Sequence, residues 1–149
     1  MDTIILKVKR LDNNTDLPLP SYQSDGSSGL DLRAAVNKAL TLQHGDIELI
    51  PTGLSISLPE GYEVQIRPRS GLALKHGLAF VNAPGTIDAD YRGEIGVIAI
   101  NLGKKPLTIK RGERIAQMVI QKVSRAIVEE VDELDTTQRG EGGFGHSGY

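Results

Sequence analysis

Arg67-Pro68-Arg69-Ser70-Gly71 sets a guanidinium, a hydroxyl and an open stretch of backbone side by side, a combination suited to an anion. Pro68 stiffens the approach to a turn, and Gly71 carries no side chain to keep a ligand from the backbone. Ser70 is placed to cap a short helix from Ser70 to His76, which Gly77 would end. Backbone amides at the helix start, with Arg69 beside them, make an anion-binding turn. A solvated basic turn with a serine cap accounts for the same residues.

The segment Asn82 to Glu94, NAPGTIDADYRGE, combines acids, a tyrosine and turn glycines. Alternation around Ile87 and Tyr91 predicts a β-hairpin turning near Ala89-Asp90. Asp88, beside Ile87, would be partly desolvated there, as suits a general base. Tyr91 would offer a flat wall to a sugar. An ordinary acidic hairpin is the alternative. Ser28-Gly29-Leu30-Asp31-Leu32-Arg33-Ala34 sets one acid between apolar neighbours, which also describes a strand start with an exposed Asp. Arg111-Gly112-Glu113-Arg114-Ile115-Ala116-Gln117 joins a charged turn to a strand, which also describes a solvated hairpin.

Other patterns fail on their own terms. Gly140, Gly142 and Gly145 form G-x-G-x-x-G, but no strand precedes them and too few residues follow for the helix of a dinucleotide site. Asp12, Asn14 and Asp16 start like a calcium loop, yet Leu17 sits where glycine is required and Gln23 where the closing glutamate belongs. His44, His76 and His146 lack metal-ligand spacing.

Strands must position the chemistry. Ile4 to Leu11, Leu54 to Leu58, Tyr62 to Ile66, Leu107 to Lys110, Ala116 to Val123 and Ala126 to Val131 read as short strands, and Ile95 to Leu102 as a nearly continuous buried one. Asn37 to Gln43 reads as a helical turn. The 17 glycines and 7 prolines fit many tight turns. Together these predict an all-β protein, a jelly-roll-like barrel or sandwich with one short helix. Residues 1–135 would form the β domain and 136–149 a flexible glycine-rich arm.

The 149 residues suffice for one domain, whose core must come from aliphatic residues because aromatics are only 4%. A net charge of −2 gives no general attraction to nucleic acid or anionic membrane. With no cysteine, disulfides and thiolate zinc sites are excluded. MDTIILKVKRL is interrupted by Lys7 and Lys9 and lacks the apolar run of a signal peptide, and no segment has the length of a membrane span. A cytoplasmic protein is expected.

Taken together, five segments resemble the five motifs of the dUTP pyrophosphatase (dUTPase) family, in the family's order and spacing: SGLDLRA, RPRSG, NAPGTIDADYRGE, RGERIAQ and RGEGGFGHSG. The resemblance runs from about Ser28 to Gly148. It implies a homotrimer with shared active sites that hydrolyses dUTP to dUMP and pyrophosphate, keeping uracil out of DNA and supplying dUMP for thymidylate synthesis. Asp88 would activate the water that attacks the α-phosphorus. Asn82 and the backbone near Thr86 and Ile87 would read the uracil edge, and Tyr91 would pack on the deoxyribose. Arg69, Ser70, Gly71 and Gln117 would hold the phosphates. Asp31 would contact waters of a magnesium ion (Mg2+) held mainly by the triphosphate. Arg139 would meet the γ-phosphate, Phe144 would cover the uracil, and Gly145, His146 and Ser147 would complete the closing arm. Two departures lie at motif edges: Ser28 where the family often has alanine, and His146-Ser147 where many members have a serine-threonine pair.

Two rival readings follow the same fold. A dCTP deaminase-like enzyme would need extra serine and arginine in the second motif and a separate glutamate, which RPRSGLA lacks. A non-catalytic nucleotide-binding module would have no need of Asp88 and a complete arm.

Overall fold

A computed structural model describes residues 3–148. Its eleven strands and one helix run in the order β1 (Lys7–Arg10), β2 (Leu30–Arg33), β3 (Leu40–Leu42), β4 (Ile47–Pro51), β5 (Leu54–Ser57), β6 (Tyr62–Pro68), α1 (Ser70–His76), β7 (Leu78–Phe80), β8 (Gly85–Ile87), β9 (Gly96–Asn101), β10 (Leu107–Ile109) and β11 (Arg114–Lys122). Every described pairing is antiparallel. Strands β2-β11-β6-β8 form the largest sheet, β4-β9-β7 a second, and β1-β5 and β3-β10 are two-stranded. No helix among the described residues is long and apolar enough to cross a membrane.

The nine-residue β11 lies between β2 and β6, so its side chains meet neighbours on both edges. Ile115, Ala116, Met118 and Val119 are buried along it, and Val64 and Ile66 bury from the facing β6. All of these except Val119 join Leu32, Leu42, Ile50, Leu78, Val97 and Ile109 in one core cluster. Each such aliphatic side chain contributes about 1.5–3 kcal/mol on burial, so β11 is the main anchor of the site-bearing sheet. Polar residues inside the core are satisfied. The Asn101 amide donates to the Leu42 and Lys105 carbonyls, both at 2.9 Å, and accepts from the Gly103 amide at 2.8 Å.

Four expectations are corrected. Asn37 to Gln43 forms no helix: Leu40 and Leu42 alternate in β3 and pair with Ile109 and Leu107, so tertiary pairing overrides local helix preference. Ala126 to Val131 forms no strand; Ile127 and Val128 are almost fully exposed, with no neighbouring strand of the same chain to pair with. The run Ile95 to Leu102 is not buried throughout: Ile98 and Leu102 face outward, as period-2 alternation along β9 requires. The segment around Ile87 and Tyr91 turns at Ala89-Asp90 but makes no hairpin, because β8 pairs with β6 and the next strand, β9, pairs with β4 and β7.

Candidate active site

Strand β6 ends at Pro68, and α1 starts two residues later. Arg69 stands between them in extended backbone (φ −94°, ψ 129°) and takes the cap position. Ser70 is therefore the first helical residue and not the cap, and no side chain bonds the free amides there. The strand carries its extended conformation one residue beyond Pro68, which sets the helix start after Arg69. Gly77 ends α1 as expected: with φ 69° it is left-handed, and its amide bonds the Ala73 carbonyl at 2.9 Å.

Pairing of β2 with β11 sets Asp31 opposite Gln117. The Gln117 amide donates to the Pro68 carbonyl at 3.0 Å, tying β11 to the β6–α1 junction. Three of the sequence segments thereby meet in an open cleft of about 560 Å³, lined by Ser28, Gly29, Asp31, Arg69, Ser70, Gly71 and Gln117. Gly29 leaves room for the Gln117 side chain: an added Cβ would lie 2.4 Å from Gln117 Oε1, and that side chain would have to shift. Asp31 is only 11% exposed and sits between two guanidiniums, Arg69 Nε at 3.3 Å and Arg114 Nη1 at 3.2 Å. Two cations around one carboxylate leave the group with a net positive charge, as an anion site needs.

The remaining predicted residues lie elsewhere in the chain. Asn82, Thr86 and Ile87 line a recess of about 40 Å³ with Ile66, Phe80, Gly85 and Gly96. Asp88 is exposed, not partly desolvated: it follows the end of β8 and precedes the turn at Ala89-Asp90, outside the paired strands. It borders a separate cavity of about 760 Å³ with Glu60, Tyr62, Glu63, Asp90, Arg92 and Arg125. The cleft, the recess and this cavity share no lining residue. Tyr91 borders none of them; its hydroxyl donates to the Glu94 carbonyl at 3.0 Å.

The described residues of the arm, 136–148, line none of the three cavities. Arg139 Nε bonds the Gly142 carbonyl at 2.7 Å, Phe144 is fully exposed with φ 49°, and Gly145, His146 and Ser147 are exposed beside it. Gln23, Ser27, Lys75 and His76 also line the cleft, outside the site residues expected from the motifs. Lys75 and His76 were within reach of sequence reasoning, since they end the helix that starts at the anion turn. Gln23 lies in a polar loop with no pattern of its own. Among the described residues, no three His, Cys, Asp or Glu side chains converge as a metal cage.

The antiparallel sheets and their single helix place the protein in the jelly-roll class, with an arginine-lined cleft at the β6–α1 junction. The family model described as dUTPase matches residues 15–148. Deoxyuridine 5'-triphosphate nucleotidohydrolase of Caldanaerobacter subterraneus is 58% identical over 98% of this chain and 99% of its own. The protein of the same description from Methylocella silvestris is 54% identical over 99% of this chain and 93% of its own. The dUTPase of Staphylococcus bacteriophage 80alpha, solved with dUPNHPP, superposes with a TM-score of 0.87 at 28% identity, over 97% of this chain and 99% of that one. The chain belongs to the dUTPase family, a family of nucleotide hydrolases.

Proposed function

We propose that the protein hydrolyses dUTP to dUMP and pyrophosphate by attack of water on the α-phosphorus, at a site completed by neighbouring copies in a homotrimer. The observation that carries this reading is the cleft itself, where Asp31, Arg69, Ser70, Gly71 and Gln117 meet in a chain of the dUTPase family. Displacement at phosphorus needs charge neutralisation, alignment and an activated water. Arg69, Ser70, Gly71 and Gln117 hold the phosphates. Asn82 and the backbone at Thr86 and Ile87 read the uracil edge, and Tyr91 packs on the deoxyribose. Asp88 takes the proton of the attacking water, an effect worth about 10²–10⁴-fold in rate.

The arm, residues 136–149, closes over the triphosphate. Arg139 meets the γ-phosphate, Phe144 covers the base, and Gly145, His146 and Ser147 complete the enclosure. In one chain Asp88 and the arm stand apart from the cleft, so a complete site draws them from other copies. The residues suit a magnesium ion carried in by the triphosphate: Asp31 is a single carboxylate lining the cleft, able to reach it through water, and no protein cage competes among the described residues. Bound there, the ion would neutralise phosphate charge. The enzyme works in the cytoplasm, on free nucleotide.

A panel of dUTP, dTTP, dCTP and UTP, read by pyrophosphate release with and without magnesium, tests the reading. Turnover of dUTP far above the other three is expected. A missing methyl in an apolar pocket discriminates only about 10–200-fold, and rigid backbone against the uracil edge should exceed that for dTTP. Comparable dTTP turnover would contradict the pocket, and conversion of dCTP to dUTP or dUMP would favour the deaminase.

A further inference from the structure

Arg114 lies directly behind the cleft without lining it. It borders an adjoining recess of about 470 Å³, together with Arg33, Leu78 and Ile109. The β2–β11 register shifts between Arg114 and Ala116, a bulge of the kind that re-aims a side chain. From that position Arg114 Nη1 reaches Asp31 Oδ2 at 3.2 Å and Gln23 Oε1 at 3.2 Å. The Arg114 carbonyl also accepts from Arg69 Nη1 at 3.1 Å. Asp31 Oδ1 faces Arg69 Nε at 3.3 Å. The four residues thus form one chain of contacts, Gln23–Arg114–Asp31–Arg69.

We infer that Arg114, steadied by Gln23, is a positioning residue that frees Arg69 for the phosphates; the inference rests on the phosphate-holding role proposed above for Arg69. Were Asp31 and Arg69 paired alone, they would form a neutral couple. An incoming phosphate would then have to pull Arg69 away from a carboxylate that is 11% exposed and would lose its only counter-charge. Arg114 removes that penalty. It stays on the second carboxylate oxygen while the Arg69 guanidinium turns to the ligand, and its carbonyl guides that guanidinium. Gln23 keeps Arg114 from following Arg69 into the cleft. Gln23 belongs to none of the five motif segments.

The test is a double-mutant cycle read by calorimetric binding of the non-hydrolysable analogue dUpNHpp, without metal, beside deoxyuridine, which has no phosphate. Arg114→Gln should weaken dUpNHpp about tenfold or more and leave deoxyuridine within twofold. Arg114→Lys should recover part of the loss, and Gln23→Ala should lose about two- to threefold. In an Asp31→Asn background, Arg114→Gln should change dUpNHpp affinity by less than twofold, because no carboxylate is left to hold. In turnover, KM should rise more than kcat falls. Additive losses in the cycle, or equal losses for dUpNHpp and deoxyuridine, would overturn the inference. If Arg114→Gln does not fold, Arg114→Lys and Gln23→Ala carry the same cycle, and wild-type affinity in both overturns it. A wild-type protein that binds no dUpNHpp would instead refute the phosphate reading on which it rests.

Discussion

Asp88 and Asp31 are both acids beside apolar residues in sequence, yet their surroundings separate their roles. Asp31 is enclosed by two arginines, which fits it to hold and orient, whereas Asp88 is exposed beside a turn and makes no ion pair among the described residues. Asp88→Asn should keep dUpNHpp binding and lose about two or more decades of turnover; near-normal turnover would remove it from the mechanism. Gly29→Ala pushes a methyl against the Gln117 side chain, which must then leave the Pro68 carbonyl. Its KM for dUTP should rise several-fold with little change in thermal midpoint. The hydrogen bond from Arg111 holds the Asp16 carboxyl below its ordinary value of 3.8, and the charge of Arg111 adds to it. A depressed folded pKa stabilises above the unfolded value and is lost as pH falls through the folded one. Arg111→Gln should therefore be less stable than wild type by a constant amount between pH 6 and 8 and unfold in acid at higher pH, with the difference shrinking as pH falls through the folded Asp16 pKa. An unchanged acid midpoint would show that the pair contributes nothing.

Among the elements, those that carry their own periodicity were legible in the sequence. Val64 and Ile66 alternate with Glu63, Gln65 and Arg67 in β6, and the helix from Ser70 to His76 was bounded correctly by Gly77. The short β3 was not legible, because Leu40 and Leu42 become a strand only through β10, more than sixty residues away. Strand β4 gave no signal, since Ile47 and Leu49 point outward and only Ile50 is fully buried. The cleft was legible as motifs in order, but Asp31 meets Gln117 only through strand pairing across the chain. Gly77 shows how tightly one element is joined to the next: an added Cβ would come within 2.4 Å of the Gly103 backbone amide, in a conformation that side chains avoid. Gly77→Ala should cost about 1–3 kcal/mol, more than the 0.5–1 kcal/mol separating these residues in a helix interior. Denaturant unfolding measures it, and a loss below about 0.5 kcal/mol would mean the contact relaxes freely.

At the scale of the molecule, a single chain leaves its C-terminal segment without support. Ile127, Val128, Val131 and Leu134 are exposed beyond β11, and the described residues show no hydrogen bond or ion pair from 126–136 to the rest. Apolar side chains so exposed usually meet a partner surface. This accords with the proposal that each site takes its cleft from one copy, Asp88 from a second and the arm from a third. The arrangement was beyond sequence periodicity, because nothing in one chain records which copy supplies which part. The most direct measurement mixes two inactive variants, Asp88→Asn and a truncation ending at Gln138. Each alone should be nearly inactive, since every site lacks one part. After refolding an equal mixture, a working site needs Asp88 from a truncated chain and the arm from an Asp88→Asn chain. Random assortment satisfies both at about one site in four, so about a quarter of wild-type dUTP turnover should return. No recovery, with mixed trimers shown to form, would contradict a site assembled from three chains.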